Sequence, residues 1–200
     1  MSVTSFKALS IPNKSDCIYT DEENIWKLCE YIKNTDQLRD CYVVFISNDI
    51  QATAVFQSKN GSELNDCLVV WDYHVFLIYA PENEEPMVYD FDTRLPFPCT
   101  LREFVIRSLK SESMMRSEYH RLFRVIRGED YLKSLSSDRS RMRTADGTWI
   151  KDPPPYPCIL NKDGTNNLDD LISMDKKRCQ IGEVINFETF QRLFLKSLVC

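Results

Sequence analysis

Four apolar segments between residues 41 and 91 leave this chain little choice but a β-sheet. CYVVFIS (41–47), TAVFQS (53–58), CLVVWDYHVFLIYA (67–80) and MVYDF (87–91) are dense in β-branched and aromatic residues, with polar or Gly-containing breaks between them. PENEEP (81–86), between the last two, supports a hairpin connection and hence a largely antiparallel sheet. Ahead of them, TDEENIWKLCEYIKN (20–34) switches to a helical period, with Ile25, Leu28, Cys29 and Ile32 on one face. Thr20 and Glu23 have capping-box spacing, and Asp21 to Glu23 place negative charge at the positive end of the helix dipole.

Beyond residue 91 the spacing predicts helices near 100–110 and 113–121, then a strand at RLFRVI (121–126). A short helix is expected within DYLKSLSSDRSRM (130–142) and another at LDDLISM (168–174). DPPPYPC (152–158) is too rich in proline for a helix or a central strand and reads as extended surface chain. Phe187, Phe190 and Phe194 have the spacing of a terminal docking helix. Residues 1–16 read as irregular. The expectation is one domain over residues 1–200, of α+β (α/β) class, with a helix packed on a largely antiparallel sheet.

The 200 residues are 43% hydrophobic with a net charge of −5, enough to bury a core without staples and without the basic surface that phosphate binding needs. Nucleic acid is therefore not an expected partner; the cluster Arg139, Arg141 and Arg143 reads as a solvated loop or helix end. No stretch reaches the roughly 18 apolar residues of a membrane span, and residues 1–14 lack a secretory apolar run. Several of the eight cysteines sit in apolar runs as small hydrophobes, so a reducing compartment, cytoplasmic or nuclear, is expected for a monomeric chain. With no C-x-x-C and only two histidines, no metal-ligand cluster is expected.

The chemistry concentrates at His74, inside the apolar run VVWDYHVFLIY, and Asp90 on the following strand. A hairpin register that sets them directly opposite brings their Cβ atoms about 4.5–5.5 Å apart. A carboxylate on one ring nitrogen fixes the tautomer and leaves the other nitrogen as a base. Such a base needs a nucleophile, and a thiol at a helix N-terminus suits it.

EENIWKLCEYIK (22–33), CYVVFISN (41–48), VVWDYHVFL (69–77), YDFDTRLPFPC (89–99), RLFRVI (121–126), SSDRSRM (136–142) and PPPYPCI (153–159) occur in this order. In these blocks the chain resembles the protein N-terminal glutamine amidohydrolases over nearly its whole length. The resemblance implies conversion of an N-terminal glutamine to glutamate with release of ammonia, a step that feeds arginylation and N-degron turnover. It also implies a papain/transglutaminase-like cysteine hydrolase core, no cofactor, and protein or peptide substrates with a free N-terminal glutamine. By the same resemblance, a Cys-His-Asp triad would use His74 as base and Asp90 as its orienting acid; Asp92, two residues on, faces the same way in a strand but is not the acid the resemblance points to.

One position departs from that pattern. The family's catalytic cysteine immediately precedes E-E-N, where this chain has Asp21. A carboxylate there is expected to be an N-cap held as an anion, a poor nucleophile, and to keep His74 charged. Cys17 is the remaining candidate nucleophile, four residues upstream, while Cys29 lies on the apolar face of the helix. Three accounts stand: a splice form or gene boundary that replaces the segment before Glu22, a chain that binds N-terminal peptides without turnover, or recruitment of Cys17. Asp72, Glu22 and Glu23 are candidates to receive the substrate α-ammonium, and Trp71 and Tyr73 to line the pocket.

Overall fold

The computed structural model describes Leu9, residues 20–113 and residues 115–195. Six strands form one antiparallel sheet in the order β6-β5-β4-β1-β7-β8, and β2 pairs with β3 in a separate ribbon. These are β1 (Cys41–Ser47), β2 (Thr53–Val55), β3 (Val69–Trp71), β4 (His74–Tyr79), β5 (Met87–Tyr89), β6 (Cys99–Thr100), β7 (Leu122–Arg127) and β8 (Glu183–Asn186). The α+β architecture is as the sequence predicts.

Both faces of the sheet are covered. Val43, Phe45, Val75 and Leu77 point to one side, where they meet Ile25, Leu28, Cys29 and Ile32 of helix α1 (Asp21–Ile32). Val44, Ile46, Phe76 and Ile78 point to the other, against α2 (Leu101–Phe104) and the terminal helix. Two-sided burial explains why β1 and β4 read as unbroken apolar runs instead of alternating ones. Helices α3 (Gly128–Ser134) and α4 (Leu168–Ile172) join the α1 side, while α5 (Phe187–Phe194) buries Phe187, Phe190 and Phe194 on the other.

Several expectations give way. The helix expected at 113–121 is a single 3-10 turn, Ser117–Tyr119, because the described residues there are mostly exposed and offer no apolar stripe to bury. Helix α2 continues as a π-helical stretch, Val105–Leu109. The long 67–80 segment breaks at residues 72–73 into β3 and β4. β8 was not expected: its four residues give too little pattern to stand out before the helical phenylalanines. It adds to the sheet edge after Gly182, whose φ of +70° and 2.5 Å approach of an added Cβ to the Val125 carbonyl oxygen exclude a side chain.

A buried arginine also escaped the sequence pattern. Arg124, on β7, is 0% exposed and donates to the carbonyl oxygens of Leu171, Cys179 and Ile181 at 3.0, 3.2 and 2.7 Å. It pins α4 and the following loop to the sheet by satisfying carbonyls that burial would otherwise orphan.

Phe190 centres the second core layer, stacked on Phe123 at 4.4 Å between ring centroids and edge-on to Phe76 at 6.4 Å. Phe190→Ala is expected to lower stability by about 3–5 kcal/mol in urea unfolding. Leu193→Ala, on the exposed face of the same helix, should change it by no more than about 0.5 kcal/mol. Equal effects would contradict this placement of α5.

Candidate active site

His74 opens β4 and is 1% exposed. Its Nε2 lies 3.0 Å from Oδ2 of Asp90, so the predicted pair meets. The register, however, is not the expected one. Leu77 faces Tyr89, Ile78 faces Val88 and Tyr79 faces Met87. The β4–β5 ladder ends at Leu77–Tyr89, so His74 and Asp90 meet beyond it, with Asp90 just past β5 and Asp92 in the turn that follows. A two-residue offset keeps the same face, which is why the contact survives the change of register. Asp90 is itself braced, since its Oδ1 accepts the backbone N–H of Asp92 at 2.9 Å. The Trp71 ring stacks on the imidazole with centroids 5.6 Å apart.

On the other ring nitrogen stands Asp21, its Oδ2 2.6 Å from Nδ1. Asp21 is the first residue of α1, and Thr20 takes the N-cap position without a side-chain cap bond. Neither the capping box nor an Asp21 cap forms, and the reason lies in what the acids do instead. Glu23 is 0% exposed and held by Arg139, whose Nε and Nη2 donate to Oε1 and Oε2 at 2.7 and 2.9 Å. Arg139 also donates to the carbonyl oxygens of Tyr156 and Pro157 at 3.0 and 3.4 Å, and its guanidinium lies 5.0 Å from the Tyr156 ring centre. The SSDRSRM and PPPYPC segments, distant in sequence, are thus tied to the N-terminus of α1. Arg139 is therefore no solvated loop residue, contrary to the sequence reading of the basic cluster.

Glu22 is also buried, accepting from the Tyr73 hydroxyl at 2.9 Å, and burial raises its pKa against the lowering effect of its hydrogen bonds. Asp72 is 46% exposed on its side chain and pairs with Arg141, which also bonds Asp169 at 2.7 Å. Of the three acids proposed for an incoming ammonium, only Asp72 faces solvent; Glu22 and Glu23 are buried in structural contacts.

The charges at His74 are strongly coupled. Burial alone would lower its pKa, but Asp90 and Asp21 together hold it well above the ordinary value. For Asp21 the expectation of a dipole-stabilised anion is reversed. Burial, helped by neighbouring Asp92 and opposed by His74, pushes its carboxyl up to about 8. Three carboxyl groups thus crowd one imidazole, and a protonated His74 is not a general base.

No cysteine among the described residues stands where Asp21 does. Cys29 is buried in the core, its thiol pushed up to about 12 by desolvation. Cys17 lies outside the described residues. Counting histidines and cysteines also missed one grouping: ligand atoms of Asp21, His74 and Asp92 all lie within 4.8 Å of one another. The Y-D-x-D spacing carried part of that signal, by setting a second carboxylate two residues from Asp90. No helix among the described residues is long and apolar enough to cross a membrane.

The chain is similar to known proteins over most of its length. The model of the N-terminal glutamine amidase family matches residues 17–194. The protein N-terminal glutamine amidohydrolase of Homo sapiens is 46% identical over 171 residues, covering 83% of this chain and 82% of its own. The proteins of that name from Danio rerio and Drosophila melanogaster are 41% and 42% identical, covering 96% and 93% of this chain and 96% and 92% of their own.

The Glu23–Arg139 pair makes the cost of anchoring α1 measurable. Arg139→Met leaves a buried carboxylate without its cation and should cost about 3–5 kcal/mol in urea unfolding. The double variant Glu23→Leu with Arg139→Met should recover most of that loss. A single variant within about 1 kcal/mol of the parent would contradict the assigned role.

Proposed function

The chain belongs to the N-terminal glutamine amidase family, and on that premise we propose that it hydrolyses the side-chain amide of N-terminal glutamine. The products are N-terminal glutamate and ammonia, and the substrates are proteins and peptides with a free N-terminus. The observation that supports this most is the buried His74–Asp90 pair, 3.0 Å apart, kept within a chain so similar to curated amidohydrolases. Asp72, the solvent-facing acid two residues before His74, receives the α-ammonium.

In the thiol version of this chemistry Cys17 is the nucleophile. His74, oriented by Asp90, takes the thiol proton; the thiolate attacks the amide carbon, and backbone N–H groups at the start of α1 stabilise the oxyanion. The imidazolium returns its proton to departing ammonia, and water then hydrolyses the thioester. That sequence requires Cys17 to replace Asp21 beside His74.

A second reading is favoured by the Asp21–His74 contact of 2.6 Å: the chain binds N-terminal glutamine without turnover. A carboxyl in the nucleophile's place and a charged imidazole require nothing to move. The resulting role is to hold or shield such N-termini.

Incubation with a glutamine-initiated peptide, read by ammonia release and a mass gain of about 1 Da, separates the two. Turnover lost in Cys17→Ser supports thiol chemistry by Cys17. No turnover with retained peptide binding supports the binding role, and Asp21→Cys should then create activity. Neither turnover nor binding, in the parent and in Asp21→Cys alike, overturns the assignment.

A further inference from the structure

We propose that Asp21, His74 through Nδ1, and Asp92 form a binding site for a first-row divalent transition metal, with Asp90 as the outer carboxylate that orients the imidazole. This inference is independent of glutamine hydrolysis, because it concerns binding alone. It begins from convergence: one nitrogen and two carboxylate oxygens, from three separate parts of the chain, have all their ligand atoms within 4.8 Å of one another. Asp21 comes from the start of α1, His74 from β4 and Asp92 from the turn after β5.

The second observation is the imidazole itself. His74 is 1% exposed, and its Nδ1 is buried without an aligned hydrogen bond, although Oδ2 of Asp21 lies 2.6 Å away. Asp21 is therefore its ion-pair partner, and the two atoms would become neighbouring ligands of a bound dication. Ligands about 2.1 Å from a metal on adjacent octahedral positions are about 3.0 Å apart. The Asp21 carboxyl would withdraw by a few tenths of an ångström, a small rotation for a residue at a helix end that keeps 14% side-chain exposure.

The opposite ring nitrogen has the support that metal-bound histidines use. Nε2–H donates to Asp90 Oδ2 at 3.0 Å, and Asp90 Oδ1 is held by the Asp92 backbone N–H at 2.9 Å. A carboxylate behind the imidazole fixes its tautomer and raises its basicity as a ligand. Binding would send the Nδ1 proton and that of the Asp21 carboxyl to solvent and leave Nε2–H on Asp90. Charge agrees with geometry: Asp21, Asp90 and Asp92 gather around a single imidazole, and a dication displaces protons from such a cluster. One imidazole with two carboxylates suits Mn²⁺, Fe²⁺, Co²⁺ or Zn²⁺ better than Mg²⁺ or Ca²⁺, which take oxygen.

The test uses the full chain stripped with EDTA and titrated with Zn²⁺ by calorimetry. One ion per chain is expected. Asp21→Asn and Asp92→Asn should each weaken binding at least about 10-fold, and Asp90→Asn by about 10–100-fold. Circular dichroism melting of each variant separates lost binding from lost folding. Should the Asn variants fail to fold, Asp21→Cys with Co²⁺ supplies the second readout. It should give a thiolate-to-cobalt charge-transfer band, absent from the parent and from Asp21→Ser. Absence of stoichiometric Zn²⁺ binding, affinity unchanged within about twofold in both folded Asn variants, or Co²⁺ bound to Asp21→Cys without that band would overturn the proposal.

Discussion

Burying an imidazole at the end of a β-strand obliges the surrounding chain to supply its partners. His74 is 1% exposed, so each ring nitrogen must face a protein group or bear the cost of desolvation. Asp90 meets one and Asp21 the other, which fixes where β5 must turn and where α1 must begin. Helix α1 then needs an anchor of its own. The buried Glu23–Arg139 pair supplies it, drawing in the proline-rich segment through the carbonyls of Tyr156 and Pro157. The end of the sheet is thus assembled from chain segments more than a hundred residues apart.

The same constraint explains what the acids do. An acidic first turn is usually read as a favourable interaction with the helix dipole, worth a fraction of a kcal/mol to about 1 kcal/mol at the surface. Here Asp21, Glu22 and Glu23 serve three different partners: His74, Tyr73 and Arg139. Desolvation dominates over the dipole, so the Asp21 carboxyl is pushed up and not down. With aspartate at position 21, the imidazole of His74 is shared between carboxyl groups on both of its nitrogens.

Much of the fold was legible because apolar density and periodicity are local properties. Strands β1 and β4, helix α1 and the phenylalanine face of α5 stand close to where the sequence places them. The failures share a cause, which is that tertiary partners decided them. Thr20 and Glu23 have capping-box spacing, but Arg139 claims Glu23. Arg124 looks like a strand's solvent-facing residue until four backbone carbonyls close around it. The hairpin register depended on a turn whose seven residues, 80–86, carry no two-residue signature, so the alignment differs by two. At the site, His74 and Asp90 were legible from strand parity and family motifs, whereas Asp92's approach to Asp21 required knowing where α1 begins.

Both functional readings rest on one claim, that the end of the sheet around His74 and Asp21 receives the glutamine side chain. A crystal structure of the protein with a peptide that begins with glutamine tests it most directly. The account predicts that side chain, as glutamine or as the glutamate formed from it, against His74 and Asp21, with the α-ammonium toward Asp72. A peptide seated elsewhere on the molecule, with the His74 end of the sheet unchanged, would contradict it.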